Sequence, residues 1–301
     1  VCPAGVRAIT RPPRAIDVDL FEQLMAELGP TLLTVSLWGW GEPLLHPRLR
    51  EILRIVRQYP VATFLSTSSQ KLSDDEILDA LIEYPPTHLI VAIDGLDDET
   101  HSRFRIGATL KPILAGVHRL AERKRTLRRR DPVLHMRYIV MKHNQHEFAS
   151  VKDFAAAHGF DFLTIRTLSL VDALEDVHDR FVPDAHEFRA YDYSNGERLH
   201  QQDFICTQPF WFPSVYADGT VVACEQDYNA QHPIGIFSKE TSFAQLWSSP
   251  NARRVRRVIR DTPYVLRFCR SCPFSDRVTK PCSILRFILN PALPDRIPVA
   301  Q

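Results

Sequence analysis

Five apolar runs spaced along the first 170 residues limit the fold more than any other feature. They are TLLTVSL (31–37), VATFLS (61–66), THLIVAI (87–93), HMRYIVM (135–141) and FDFLTIR (160–166). Helix-like stretches lie before and between them. DLFEQLMAEL (19–28) puts Leu20, Phe21, Leu24, Met25 and Leu28 on one helical face. HPRLREILRIVRQY (46–59) follows, then SDDEILDALIEY (73–84), where Ser73 is the expected N-cap and Glu76 stands three residues on. KPILAGVHRLAERKR (111–125) and HEFASVKDFAAAHG (146–159) complete the set, with Gly159 as the expected C-cap. Strands separated by helices pair in parallel through crossovers. At least five such units favour a (β/α) barrel or partial barrel over a small open sheet.

The pattern breaks after Leu170. VDALEDVHDRFVPDAHEFRAYDYSNGERLHQQ (171–202) is acidic and weakly periodic, and it reads as a connector or lid. Its histidines, His178, His186 and His200, read as surface residues. Beyond Phe204, WFPSVYA (211–217) and TVVAC (220–224) flank Asp218-Gly219, a hairpin signal. Two helices, SFAQLW (242–247) and NARRVRRVIR (251–260), lead to a cysteine-rich end. The expected domains are a partial barrel at 1–170, a connector at 171–203 and a small α+β domain at 204–301.

Charge excludes some partners. With 37 basic against 36 acidic residues, no strong field for nucleic acid or an anionic membrane is expected. The basic run RKRTLRRR (123–130) reads as the solvated end of a helix. No apolar run reaches membrane-spanning length, and VCPAGVRAITRPPR lacks the apolar core of a signal peptide. A cytoplasmic location is the expectation.

Three features carry chemistry. Six cysteines are too sparse for a disulfide scaffold in 301 residues, and five of them fall in the last third. Cys206 and Cys224 bracket the hairpin, and Cys269-Arg-Ser-Cys272 is a CxxC. A hairpin and a CxxC converging give four thiolates, suited to zinc or to an iron–sulfur cluster. The second feature, WGWGEPLLHP (38–47), follows a strand directly, where a parallel barrel presents ligands. It is otherwise an ordinary connecting loop. The third is the pair STSSQ (66–70) and VAIDG (91–95), each ending a strand, where Ser, Thr and Asp serve either turn chemistry or a ligand.

Together these motifs resemble the radical S-adenosylmethionine (SAM) superfamily with a C-terminal SPASM or twitch domain. That family's cluster loop reads C-x3-C-x2-C, often with proline after the last cysteine, and a strand ending in G-x-G-E-P follows. Cys2-Pro3 and Gly39-Trp-Gly-Glu-Pro43 fit the third cysteine and that strand end. VAIDGLDDETHSRFR (91–105), VMKHNQHE (140–147) and the spacing C-x12-G-x4-C over Cys206, Gly219 and Cys224 also match. The resemblance implies a [4Fe–4S] cluster that binds SAM, with Cys2 as one ligand and the other two upstream of Val1. It implies contacts to SAM from Trp40, Gly41, Glu42, Thr67, Ser68 and Asp94. It further implies one auxiliary [4Fe–4S] cluster on Cys206, Cys224, Cys269 and Cys272, with Cys282 a spare thiol or a substitute ligand. The chain departs from the family at Thr67-Ser68-Ser69, where T-N-G is common, at Ala92, where serine is common, and at Val278, where the full motif has cysteine.

By resemblance the activity is that of a radical SAM oxidoreductase. A 5′-deoxyadenosyl radical abstracts hydrogen from a small hydroxylated molecule or peptide, and the auxiliary cluster accepts an electron. Arg166, ending a strand, is a candidate substrate contact or a salt-bridge partner. A reductant such as flavodoxin or ferredoxin is the expected partner. A peptide-modifying maturase of the same superfamily is the alternative in chemistry. A zinc-stabilised, non-catalytic binding protein on a degenerate barrel is the alternative in class. A chain beginning at Val1 is expected not to cleave SAM, because Cys2 alone cannot hold a cluster.

Overall fold

The structure, a computed structural model, describes residues 2–169, 180–189, 193–194, 197–198, 204–270, 272 and 283–293. All five apolar runs form strands. They are β1 (Thr34–Ser36), β2 (Ala62–Thr67), β3 (His88–Ala92), β4 (Val133–Val140) and β5 (Phe162–Thr167). Each pairs in parallel with the next. The chain forms α1 (Val18–Leu28), α2 (Leu49–Val56), α3 (Asp75–Glu83), α4 (Asp98–Phe104), α5 (Leu110–Thr126) and α6 (Val151–Ala157). This is a mostly parallel α/β sheet, as expected of a partial barrel.

Side-chain alternation gives the sheet two unlike faces. Leu65, Leu89, Val91, Leu134, Met136, Leu163 and Ile165 point to one face and join Leu53, Leu81, Ile113 and Leu120 of the helices in one core. The alternate residues line the other face. There Phe64 stacks on His88 with ring centroids 5.1 Å apart, and His135 meets Phe162 edge-on at 4.9 Å. The helix face is mainly apolar, whereas this inner face carries histidine and arginine.

Of three local expectations, two change. The N-cap of α3 is Asp74 rather than Ser73, whose carbonyl instead accepts a hydrogen bond from Arg119. Gly159 does end its helix in the left-handed region, at φ +78°. The run RKRTLRRR is not wholly solvated: Lys124 is only 6% exposed and pairs with Asp161. Asp161 also accepts the Leu134 N–H at 2.9 Å and the Asn290 side-chain amide at 2.7 Å. A buried lysine needs such a partner.

Beyond the sheet, β6 (Tyr193–Ser194) and β7 (Glu197–Arg198) form a short antiparallel pair. Then come α7 (Gln208–Trp211), β8 (Ser214–Val215), β9 (Thr220–Val222) and β10 (Pro233–Ile236). The last three strands form an antiparallel sheet in the order β10-β9-β8. The Asp218-Gly219 turn is present, with Gly219 at φ +84° and the Asp218 carboxylate accepting the Thr220 N–H at 3.0 Å. A Cβ on Gly219 would lie 2.4 Å from the Phe237 carbonyl oxygen, so the turn needs glycine twice over. The helices α8 (Phe243–Trp247), α9 (Pro250–Asp261) and α10 (Arg267–Arg270) follow.

The chain packs as two units whose borders differ from the sequence partition. Among the described residues, 2–30 and 204–270 belong to one unit, and 31–168, 180–189 and 283–293 to the other. Leu20, Leu24 and Leu28 of α1 pack on the core of Val221, Ile234, Phe237 and Phe243. The Glu27 carboxylate accepts the N–H groups of Phe243 and Ala244, at 2.9 and 2.7 Å, and so caps α8. The helix at 19–28 thus joins the cysteine-bearing unit. In exchange β11 (Ser283–Ile288) leaves that unit and pairs antiparallel with β5. The main sheet therefore has six strands in the order β1-β2-β3-β4-β5-β11.

Candidate functional site

The loop after β1 is fastened to the end of β2 by one carboxylate. Glu42 Oε1 accepts the Thr67 hydroxyl at 2.6 Å and the Leu44 N–H at 3.1 Å. Its Oε2 accepts both the N–H and the hydroxyl of Ser68 at 2.7 Å. Three of the residues expected at SAM are thereby brought together. Gly39 and Gly41 are exposed, and a Cβ on either would meet open space. Their surroundings leave room for a ligand to reach the backbone. Trp40, between them, is half-buried.

The departure at Ser69 has a visible consequence. Ser69 sits at φ +68°, the left-handed region that favours glycine. Its N–H donates to the Thr67 hydroxyl at 2.8 Å, which holds the turn despite the Cβ.

Asp94 is placed in a network within the protein. It is fully buried; Oδ1 accepts the Ile139 N–H at 3.0 Å, and Oδ2 accepts Arg105 Nε at 2.7 Å. Its N–H donates to His101 Nδ1 at 3.2 Å, and its carbonyl accepts the Asn144 amide at 2.9 Å. Burial pushes the His101 ring below its usual range, partly offset by Asp94. Gly95 is required here, because a Cβ would stand 2.2 Å from the His101 nitrogen. Glu147 extends the network, accepting the Leu96 N–H at 3.1 Å and the Tyr138 hydroxyl at 2.7 Å. Asn144, Glu147 and Arg105 fall inside the matched stretches, yet no spacing marked them as partners of Asp94. Ala92, next along β3, is buried and brings no hydroxyl.

In the other unit the cysteines gather in an apolar core. Cys224 lies with Val221, Ala223, Phe237 and Phe268, and Cys206 and Cys269 pack against that cluster. Cys272 is buried as well. Burial is the first cause raising the thiols of Cys206, Cys224 and Cys269. Cys272 and Cys206 each push up Cys224 and Cys269 further, so the four sulfurs share one neighbourhood. All five described cysteines are free thiols. Among the described residues no three of His, Cys, Asp or Glu are closed up as a metal-holding set. The four thiols still fit a four-thiolate centre by chemistry and convergence. Cys2 stands apart from this set by exposure, in a turn closed by the Val6 N–H to the Cys2 carbonyl at 3.2 Å. Cys282 lies outside the described residues, as do Val278, His178 and His200. Arg166 is on β5, on the inner face of the sheet and half-buried.

Fold and site together define an α/β protein with a parallel-sheet unit and a separate four-thiol unit. The comparisons give the family. The radical SAM superfamily matches residues 2–155, and an iron–sulfur cluster-binding (SPASM) domain matches residues 206–273. The chain belongs to the radical SAM superfamily and carries a SPASM domain, which imply [4Fe–4S] clusters and SAM as its cofactors. A curated relative from Pyrococcus furiosus, a tungsten-containing aldehyde ferredoxin oxidoreductase cofactor-modifying protein, is 27% identical over 160 residues. That match spans 51% of this chain and 43% of the relative. Among solved structures, BtrN in complex with AdoMet and 2-DOIA aligns with a TM-score of 0.51 at 15% identity, over 88% of this chain and 82% of that one. Streptococcus suis SuiB aligns with a TM-score of 0.58 at 11% identity, over 82% of this chain and 62% of that one. At these identities the two structures speak for the fold. Among the described residues no helix is long and apolar enough to cross a membrane.

Proposed function

We propose that this chain works as a radical SAM oxidoreductase with one auxiliary cluster, acting on a small hydroxylated molecule or a peptide. When bound, SAM and its cluster would supply radical chemistry for removing a hydrogen atom from the substrate, and an auxiliary cluster would supply a one-electron acceptor. Cys2 would contribute to the SAM cluster, and Cys206, Cys224, Cys269 and Cys272 would hold the auxiliary one. Glu42, Thr67 and Ser68 shape the loop that meets SAM, with the backbone at Trp40 and Gly41 open beside it. Asp94 acts by fixing the ends of β3 and β4 around that site. The expected domain division at 170 and 203 remains part of this functional reading, with α1 packed on the cysteine unit. A cytoplasmic location and a flavodoxin or ferredoxin reductant belong to the same proposal; the free thiols favour a reducing compartment.

The observation that carries the reading is that Cys206, Cys224 and Cys269 pack in one apolar core, with Cys272 buried three residues beyond Cys269. With all four thiolates engaged, a cluster has no open iron for substrate and is suited to electron transfer. The test is anaerobic reconstitution of the chain with iron and sulfide. Iron and labile sulfide are expected, with about four of each lost in a Cys269→Ala/Cys272→Ala variant. Zinc retained without sulfide would overturn the reading in favour of a zinc-stabilised binding protein.

A further inference from the structure

Three arginines surround one threonine on the inner face of the sheet. Arg137 on β4 is paired with Thr164 on β5, and Arg286 on β11 is paired with Thr164 from the other side. Arg166 lies two residues along β5, on the same face as Thr164. Neighbouring strands are about 4.8 Å apart, and diagonal neighbours roughly 7–8 Å, so long side chains there reach a common point. His135 bonds the Thr164 hydroxyl, and its ring feels all three cations: after burial, Arg137, Arg166 and Arg286 all push its proton off.

Arg137 Nε is buried and has no hydrogen-bond partner. Burial, followed by Arg166 and Arg105, disfavours its charged form, and Asp94 opposes this. Asp94 bonds Arg105 Nε and the Ile139 N–H, and it leaves Arg137 Nε without a hydrogen bond. A buried guanidinium nitrogen left without a partner is costly unless an anion completes it. Its planar fork suits a carboxylate or a phosphate.

We propose that the arginines around Thr164 form an anion subsite that receives a carboxylate or phosphate of the substrate, with Arg137 as the principal contact. The proposal rests on the reading of the strand ends as the SAM and substrate site. SAM also has a carboxylate, and Arg137 lies across from Ala92. The cluster, however, extends away from β3 to the edge strand β11, and Thr164 is three strands from the Glu42-bound end of β2, roughly 14 Å. The face therefore assigns the substrate an acidic group in addition to the carbon that reacts.

The test uses the 301-residue chain without iron, so it reads independently of cluster assembly. Inorganic phosphate is titrated at constant ionic strength and followed by ³¹P line broadening; SAM is titrated separately. Wild type is expected to bind phosphate, and Arg137→Met to bind it at least tenfold more weakly. Arg254→Met, an exposed helix arginine, should leave phosphate binding unchanged. If Arg137→Met fails to fold by circular dichroism, Arg137→Lys and Arg166→Met take its place, each with the same tenfold criterion. Absence of phosphate binding in wild type, equal binding in the variants, or a loss confined to SAM would each overturn the proposal. Failure of the oxidoreductase reading would show instead as absent iron and sulfide, with the phosphate result intact.

Discussion

The strand ends of the main sheet and the cysteine core of the other unit hold their ionisable groups by different means. At the strand ends, Glu42 and Asp94 are fixed by hydrogen bonds to backbone and side chains in residue-by-residue pairs. In the cysteine unit, Cys224, Cys206 and Cys269 are held by apolar packing against Val221, Phe237 and Phe268. One site is held by directed hydrogen bonds. The other is a desolvated set of thiols whose charged form is disfavoured by burial. The two regions should therefore fail under different perturbations.

Asp94→Ala should have the largest effect. It strips the buried acceptor from Arg105 Nε, whose side chain is 26% exposed, and from the Ile139 N–H, and losing both bonds costs about 2–4 kcal/mol. Urea denaturation of the metal-free chain checks it; a loss under about 1 kcal/mol would show that Asp94 is not the anchor of the network. Glu42→Gln comes next. Its carboxylate accepts from four donors, and an amide cannot replace it for both Ser68 donors. A loss of about 1–3 kcal/mol is expected. Tryptophan fluorescence follows it, since Trp38 and Trp40 lie in the fastened loop.

The pH dependence separates the two regions directly. In the sheet unit, burial lowers His101, His135 and His143. Their folded forms bind fewer protons than the unfolded chain does near and below pH 6.5. Stability is then present above about 6.5 and is lost as pH falls. In the cysteine unit, burial raises Cys206, Cys224 and Cys269. Their folded forms keep protons that the unfolded chain releases above about 8.5, so metal-free stability is lost as pH rises. Thermal melts from pH 5 to 10 should fall by several degrees at each end, and iron with sulfide should rescue the alkaline arm alone. Rescue of both arms would break the comparison. The smallest effect belongs to Ser69→Gly, which should gain about 0.5–1 kcal/mol by relieving a left-handed serine. A loss instead would mean that the Ser69 hydroxyl, 3.3 Å from the Thr67 carbonyl, matters more than the strain.

Much of the sheet unit was legible because local patterns carry it. The five apolar runs became β1 to β5, and Gly159 and Gly219 took the left-handed angles their positions demanded. The cysteine spacing likewise announced the four-thiol unit. The capping of α3 was legible only to within a residue: Ser73 and Asp74 both suit an N-cap, and Arg119 claims the Ser73 carbonyl. Lys124 looked solvated because its partner Asp161 lies 37 residues away. The same holds for the site. Glu42, Thr67 and Ser68 were marked by motif, but the hydrogen bonds that join them cross 25 and 26 residues.

Sequence by itself determined the kinds of element, their order, the glycine-dependent turns and the family. These follow from periodicity, steric limits on φ and short motifs, all of which act within a few residues. Only the tertiary structure decided that α1 packs with the cysteine unit, that β11 closes the edge of the sheet beside β5, and that Arg137 and Arg286 stand opposite Thr164 on either side. Each of these depends on burying surfaces or pairing backbone groups between distant segments. An arginine on an alternating strand shows which face it takes, and the register of the neighbouring strands determines what it meets there.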